Sequence, residues 1–182
     1  YLIASKLKKK NYKIYGSSWK KNKYSDLLID FKNPNFNPKL FKKFKIKIII
    51  HLVSLNQIDS EKYHDVAKKV SLDGTTKLLD LARIIGVNKI IYFSSAQVYG
   101  LNLKGIVSEK IKPLPINNYG KIHLNVEKIC NKYSKHFTNG ITILRLSNII
   151  GSPNRKKEKL WKLVTNDLCY QAVTSKKIIL NS

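Results

Sequence analysis

The sequence reads as an α/β domain built on a parallel sheet, on three observations. Continuous apolar runs recur, as in KIKIIIHLV (45–53) and NKIIYFSS (88–95). Runs of that kind mark strands covered on both faces. Segments with helical leucine spacing lie between them, and this alternation argues for right-handed crossovers. The 182 residues are 43% apolar, enough for one domain with a core of its own.

In chain order, LIASKLKKK (2–10) predicts a helix with a basic outer face, ended by Asn11, a residue that tolerates the left-handed conformation. YKIYG (12–16) and LLID (27–30) read as short strands, and a loop rich in Asn and Pro then leads to a helical turn. The 45–53 run is the first fully buried strand. A helix over about 60–85 takes its buried stripe from Leu72, Leu78, Leu79 and Leu81, with Gly86 at its C-cap. The strand at 88–95 follows, then a loop holding Pro113 and Pro115. The next helix opens at Asn118 or Tyr119 and runs to about His136. GITILRLS (140–147) predicts a strand, LWKLVTNDLCYQAV (160–173) a helix and KKIIL (176–180) a last strand. Ligands of such sheets sit beyond the C-terminal strand ends. The informative stretches are therefore 16–21, 30–31, 53–56, 94–100 and 147–153.

Composition narrows the function classes. The net charge is +24, yet only Arg83, Arg145 and Arg155 of the 35 basic residues are arginine. Nucleic-acid sites lean on arginine for bidentate and stacking contacts, so the charge reads as a lysine-rich composition, and neither nucleic acid nor membrane is the expected partner. The densest part is the first 58 residues, where 14 lysines face only Asp26 and Asp30. Cys130 and Cys169 lie far apart, and His51, His64 and His136 lack metal-ligand spacing, so the chain reads as cytoplasmic, without disulfide or metal. The absence of methionine predicts a piece of a longer protein.

Two stretches carry chemistry. IIYFSSAQVYG (90–100) ends a buried strand with Ser94 and Ser95, placing a hydroxyl in the crevice. NNYGKIHLNVEKI (117–129) puts Tyr119 at the head of a helix. A serine and a tyrosine on facing elements make a proton relay for a carbonyl or carbinol. A helix turns ~100° per residue, so His123 shares the face of Tyr119 while Lys121 points away.

With SLDGTTKLLDLARIIGVNKIIYFSSAQVYG, PLPINNYGKIHLNVEKI and ITILRLSNIIGSP in this order, nearly the whole chain resembles the extended short-chain dehydrogenase/reductase family, in its branch of nucleotide-sugar epimerases, dehydratases and reductases. The resemblance implies a Rossmann-like doubly wound parallel sheet binding NAD(P), followed by a substrate domain. The chain would hold a partial Rossmann domain over 1–182, with the substrate region starting at about 148. By resemblance, Tyr119 exchanges a proton with the sugar oxygen while hydride moves to or from the nicotinamide, and Ser95 hydrogen-bonds the same oxygen. Ser17, Ser18, Lys20, Asp30, Phe31, Leu52, Val53 and Ser54 would line the cofactor. Gln97, Arg145, Ser147 and Asn148 would border the substrate.

Four departures from the family pattern matter. YLIASKL keeps only the tail of the phosphate-binding GxxGxxG, so the central first strand and the Gly-rich loop are missing. The sheet should then show a gap, and the isolated chain should fold poorly and bind cofactor weakly. The chain stops at KKIILNS, short of most of the substrate domain. Ala96 and Gln97 replace the acidic pair of the sugar-nucleotide 4,6-dehydratases, which disfavours dehydration. GSSWKKNK (16–23) lacks the aspartate that holds an adenosine ribose and offers lysines instead, a lean to NADP over NAD.

The family's lysine, four residues after the tyrosine, is His123 here. An unperturbed imidazole has a pKa of ~6.5 and is mostly neutral at cytoplasmic pH. His123 should therefore still donate to the nicotinamide ribose but depress the Tyr119 pKa less. The resulting expectation is an NAD(P)-dependent oxidoreductase or epimerase acting on a nucleotide-activated sugar, in surface-polysaccharide synthesis, with a homodimer left open. The alternatives are a non-catalytic relative that binds nucleic acid, or an inactive remnant.

Overall fold

The computed structural model describes residues 2–101, 105–147 and 164–179. The chain divides into two compact units, Tyr1–Arg145 and Leu146–Ser182. The first begins with helix α1 (Leu2–Lys9), ended by Asn11 at φ 62° as its sequence suggests. Strands β1 (Ser17–Ser18) and β2 (Leu27–Leu28) pair in parallel. Helix α2 (Pro38–Lys42) is capped by Asn37, whose side chain accepts the Lys39 N–H. Strand β3 (Ile48–His51) pairs in parallel with β4 (Lys89–Ser95), and β5 (Ile141–Leu146) lies on the far side of β4.

The result is two sheets, β1-β2 and β3-β4-β5, and no strand joins them among the described residues. A doubly wound sheet has the order 3-2-1-4-5-6. Counting β1 to β5 as its second to sixth strands reproduces 3-2 on one side and 4-5-6 on the other. The gap falls where the first strand would lie, as the truncated glycine motif predicts.

Helical packing bridges the two wings. The helix expected over 60–85 is broken into α3 (Gln57–Lys62), α4 (His64–Lys68), a π-turn (Lys69–Asp73) and α5 (Gly74–Ile85). Helix α5 is buried on two sides. Leu78 and Leu81 pack with Ile29, Phe31, Phe41 and Val70. Leu79 and Ala82 pack with Ile90, Tyr92, Val126 and Cys130. Gly74 allows the close approach of Phe31, since a Cβ there would lie 2.7 Å from the Phe31 ring. Gly86 closes α5 in the left-handed conformation at φ 75°.

Helix α6 (Asn118–Tyr133) covers β4 and ends in a 3-10 turn, Ser134–His136. In the second unit, α7 (Val164–Thr174) matches the expected helix from its described start. The strand expected at 176–180 is not one over its described residues. Instead the Ile179 N–H donates to the Gln171 side chain, 2.7 Å away. The strand expected at 12–16 is displaced to Ser17–Ser18, beyond Gly16, whose N–H is held by Asp26 at 2.7 Å.

His51 ends β3 as a core residue, 3% exposed, with Nε2 2.9 Å from Thr75 Oγ1. Burial, with His123 nearby, lowers its pKa from 6.5 to about 4. The unfolded chain therefore takes up this proton first, and stability falls as pH drops from about 6.5 towards 4. The loss is on the order of 3 kcal/mol. Urea melts across that window should show it, and His51→Gln should reduce the pH dependence without abolishing it, since His123 is also held neutral by burial; an unchanged slope would contradict a buried neutral His51. A second expectation concerns the seat of α6. A Cβ on Gly120 would lie 2.7 Å from the Gln97 carbonyl oxygen and 2.9 Å from Pro115 Cβ. In Gly120→Ala the overpacking cost of about 1–3 kcal/mol exceeds the roughly 1 kcal/mol gained in helix propensity. Thermal melts should show a lower Tm; a rise would contradict the close approach.

Candidate active site

The site is built where β4 stops. Ser95, in extended conformation, accepts the Gln97 N–H at 3.2 Å and starts a 3-10 turn, Ala96–Tyr99. That turn is tied to the head of α6. Asn117 caps the helix by accepting the Gly120 N–H at 2.8 Å and donates its amide to Gln97 Oε1 at 2.7 Å. Gln97 Nε2 donates in turn to Gln57, 2.9 Å away. The Asn118 backbone and side-chain amides each donate to Glu61 at 2.7 Å. The side chains of Asn117, Gln97, Gln57, Asn118 and Glu61 thus fix the helix start that carries Tyr119. Gln97, expected at the substrate, spends both ends of its amide on this clamp.

The Tyr119 phenol is partly buried, and burial raises its pKa above the usual 10. The Ser95 hydroxyl lies close enough to favour the phenolate and offsets part of that rise. One turn on, His123 is 2% exposed, with its ring edge-on to Tyr119 at 4.4 Å between centroids. Its Nδ1 lies 2.6 Å from the Tyr92 hydroxyl and its Nε2 3.4 Å from Ser54 Oγ. Burial lowers the His123 pKa to about 4, against an opposing pull from Glu127. The imidazole is neutral near pH 7 and so brings no positive charge to Tyr119 from this position. Lys121 is exposed, as helix geometry predicts.

Behind this pair lies a second polar contact between β4 and α6. Ser94 donates to Glu127 at 2.6 Å. Arg145, on β5, donates to the same carboxylate from Nε at 3.0 Å and Nη2 at 2.7 Å. Its guanidinium also lies 4.7 Å from the centre of the Tyr99 ring. The hydrogen bonds from its guanidinium to Glu127 raise the Arg145 pKa. Arg145, expected at the substrate, is thus committed to a buried ion pair with Glu127, which is 3% exposed. Ser147 is exposed just past β5, and Asn148 lies outside the described residues.

The expected cofactor residues follow strand ends. Ser17 and Ser18 form β1, with Lys20 exposed in the loop beyond. Ser18 donates to the Lys20 carbonyl and accepts from Asn22 at 2.9 Å, so its hydroxyl serves its own loop. Asp30 accepts the Lys32 N–H at 2.8 Å. Phe31 is buried and stacks on His51 at 5.5 Å. Leu52 is exposed after β3, whereas Val53 and Ser54 are partly buried. Ser54, Ser95, Tyr119 and His123 fit the nicotinamide-ribose end of a dinucleotide in hydrogen-bonding character. The glycine cradle for its diphosphate is not contained in the 182 residues beyond the YLIASKL tail. Among the described residues no cluster of His, Cys, Asp and Glu could hold a metal, and no helix is long and apolar enough to cross a membrane.

The sequence reading missed Tyr92 and Glu127. Both were within reach of simple periodicity: Tyr92 and Ser94 share a strand face, and Tyr119, His123 and Glu127 recur every fourth residue of α6.

The profile of the "NAD dependent epimerase/dehydratase family" matches residues 2–180. Among curated relatives, the chain is 28% identical over 152 residues to GDP-6-deoxy-D-talose 4-dehydrogenase of Aggregatibacter actinomycetemcomitans, covering 82% of this chain and 49% of that protein. It is 28% identical over 141 residues to dTDP-D-glucose 4,6-dehydratase of Mus musculus, covering 77% and 39%. The chain therefore spans half or less of the length of these relatives. Its fold is shared with MoeE5, solved in complex with UDP-glucose and NAD, at a TM-score of 0.78 and 18% identity, covering 98% of this chain and 58% of that one. Parallel strands in a doubly wound order, the Ser95–Tyr119 corner and the profile match over 2–180 lead to one assignment: the chain belongs to the NAD-dependent epimerase/dehydratase family.

Proposed function

We propose that this chain is the dinucleotide-binding part of an NAD(P)-dependent oxidoreductase or epimerase acting on a nucleotide-activated sugar. One observation carries the reading: Tyr119 stands at the head of α6 with the His123 ring edge-on at 4.4 Å, and Ser95, at the C-terminal end of a buried parallel strand, is near enough to favour its phenolate. The nicotinamide, when bound, supplies or accepts the hydride. Tyr119 takes the proton from the sugar hydroxyl on oxidation and returns it on reduction. Ser95 hydrogen-bonds the same oxygen and holds it at the phenol. His123 donates to a ribose hydroxyl of the dinucleotide.

Elimination of water would need an acid and a base beside the sugar. At the positions where the family pattern carries that pair the chain has Ala96 and Gln97, and the Gln97 amide is engaged by Asn117 and Gln57. This favours oxidation–reduction or epimerisation. At the end of β1, Lys20 and Lys21 are exposed cations, which suit a 2′-phosphate and favour NADP.

The test uses the full-length protein with a panel of nucleotide sugars. Tyr119→Phe should lower kcat by about 10²–10⁴-fold with the fold intact. A variant that keeps its rate would remove Tyr119 from the chemistry. The active base is the phenolate and burial raises its pKa, so the oxidative rate should climb with pH through and beyond neutrality. His123→Lys places a cation beside the phenol and should move this climb to lower pH. His123→Ala should weaken dinucleotide binding. If neither His123 variant changes rate, pH profile or affinity, His123 has no part in the site.

A further inference from the structure

The position that carries lysine in the family pattern holds a histidine whose hydrogen bonds run in one direction. The Tyr92 hydroxyl is buried, and among the described residues its hydrogen-bond partner is His123 Nδ1, 2.6 Å away. Burial raises the Tyr92 pKa, so the phenol keeps its proton. A buried hydroxyl that only accepted would leave that proton unsatisfied. At the other end, Ser54 Oγ donates to the Leu55 carbonyl at 3.0 Å and so turns a lone pair to His123 Nε2. One orientation satisfies every member: Tyr92 O–H to Nδ1, Nε2–H to Ser54 Oγ, and Ser54 O–H to Leu55. The reverse tautomer strands the phenol proton and breaks the Ser54–Leu55 bond. Glu127, one turn along α6, is held by Ser94 and Arg145 and makes no hydrogen bond to the ring among the described contacts.

We propose that Tyr92 is a positioning residue that fixes His123 in the Nε2–H tautomer, so that a neutral imidazole presents a donor where the family pattern places an ammonium. The hydroxyl on the strand does for the histidine what permanent charge does for a lysine: it guarantees a proton on the nitrogen that faces Ser54. In the active-site reading, which this inference deepens, that nitrogen exchanges its long 3.4 Å contact with Ser54 for a hydroxyl of the dinucleotide ribose.

The experiment is long-range ¹H–¹⁵N imidazole NMR on the full-length protein at neutral pH. The His123 signals are assigned among the four histidines by their loss in His123→Asn. The expected result is a protonated Nε2 and an unprotonated, hydrogen-bonded Nδ1. In Tyr92→Phe the ring should become a mixture of tautomers. Dinucleotide affinity should fall about 2- to 12-fold, the loss of one net hydrogen bond, and the melting temperature should drop as well, because the buried Nδ1 loses its donor. An Nδ1–H tautomer in the parent protein would overturn the proposal, as would an unchanged tautomer in Tyr92→Phe. If that variant does not fold, the parent spectrum alone decides. The spectrum is read without turnover: an inactive protein with the Nε2–H signature would count against the proposed reaction and not against the role of Tyr92.

Discussion

The structure turns on a polar seam between one strand and one helix. On the α6-facing side of β4, Tyr92 and Ser94 project two residues apart; on α6, His123 and Glu127 project one turn apart. Each pair closes at 2.6 Å. Strand and helix periodicities are matched by these two bonds, and apolar contacts of Ile90, Val126 and Cys130 finish the interface. Pure hydrophobic packing would tolerate a slide of the helix. Two buried hydrogen bonds do not, because a shift leaves four polar groups unsatisfied. That register, with the Asn117–Gln97 clamp, puts Tyr119 beside Ser95.

The same seam sets the electrostatics. Glu127 is a buried carboxylate, and Arg145 neutralises it from β5. His123 sits in the same layer without a carboxylate of its own, so desolvation decides its state and holds it neutral. A lysine in that place would bring a fixed charge to lower the tyrosine pKa. Here the phenol is left to burial and a serine hydroxyl. The chemistry of the family remains open to such a site, with less driving force for phenolate formation near neutral pH.

Much of this was legible in the sequence, for definable reasons. Buried parallel strands announce themselves as apolar runs: 88–95 holds the buried strand expected, trimmed to Lys89–Ser95, whereas 45–53 holds a strand, Ile48–His51, that is not buried on both faces, because it lies at the edge of its sheet among the described residues and leaves Ile48 exposed. The opposite faces of Lys121 and His123 followed from helix geometry alone. The π-turn within 60–85 was not legible, because it leads into Gly74 and Thr75, which meet Phe31 and His51, partners distant in sequence. Nor was the engagement of Arg145, which the family pattern placed at the substrate: its guanidinium meets a carboxylate that arrives from another element. The separation of β1-β2 from β3-β4-β5 was foreseen from the glycine motif, since a doubly wound sheet has one place for its first strand.

The most direct measurement is a crystal structure of the full-length protein with dinucleotide and nucleotide sugar bound. The expected result is His123 Nε2 within about 3 Å of a nicotinamide-ribose hydroxyl, Nδ1 still on Tyr92, and the Tyr119 hydroxyl on the reacting sugar oxygen. A complex in which another residue holds the ribose, with Tyr119 turned away from the sugar, would contradict the role given to this corner of the fold.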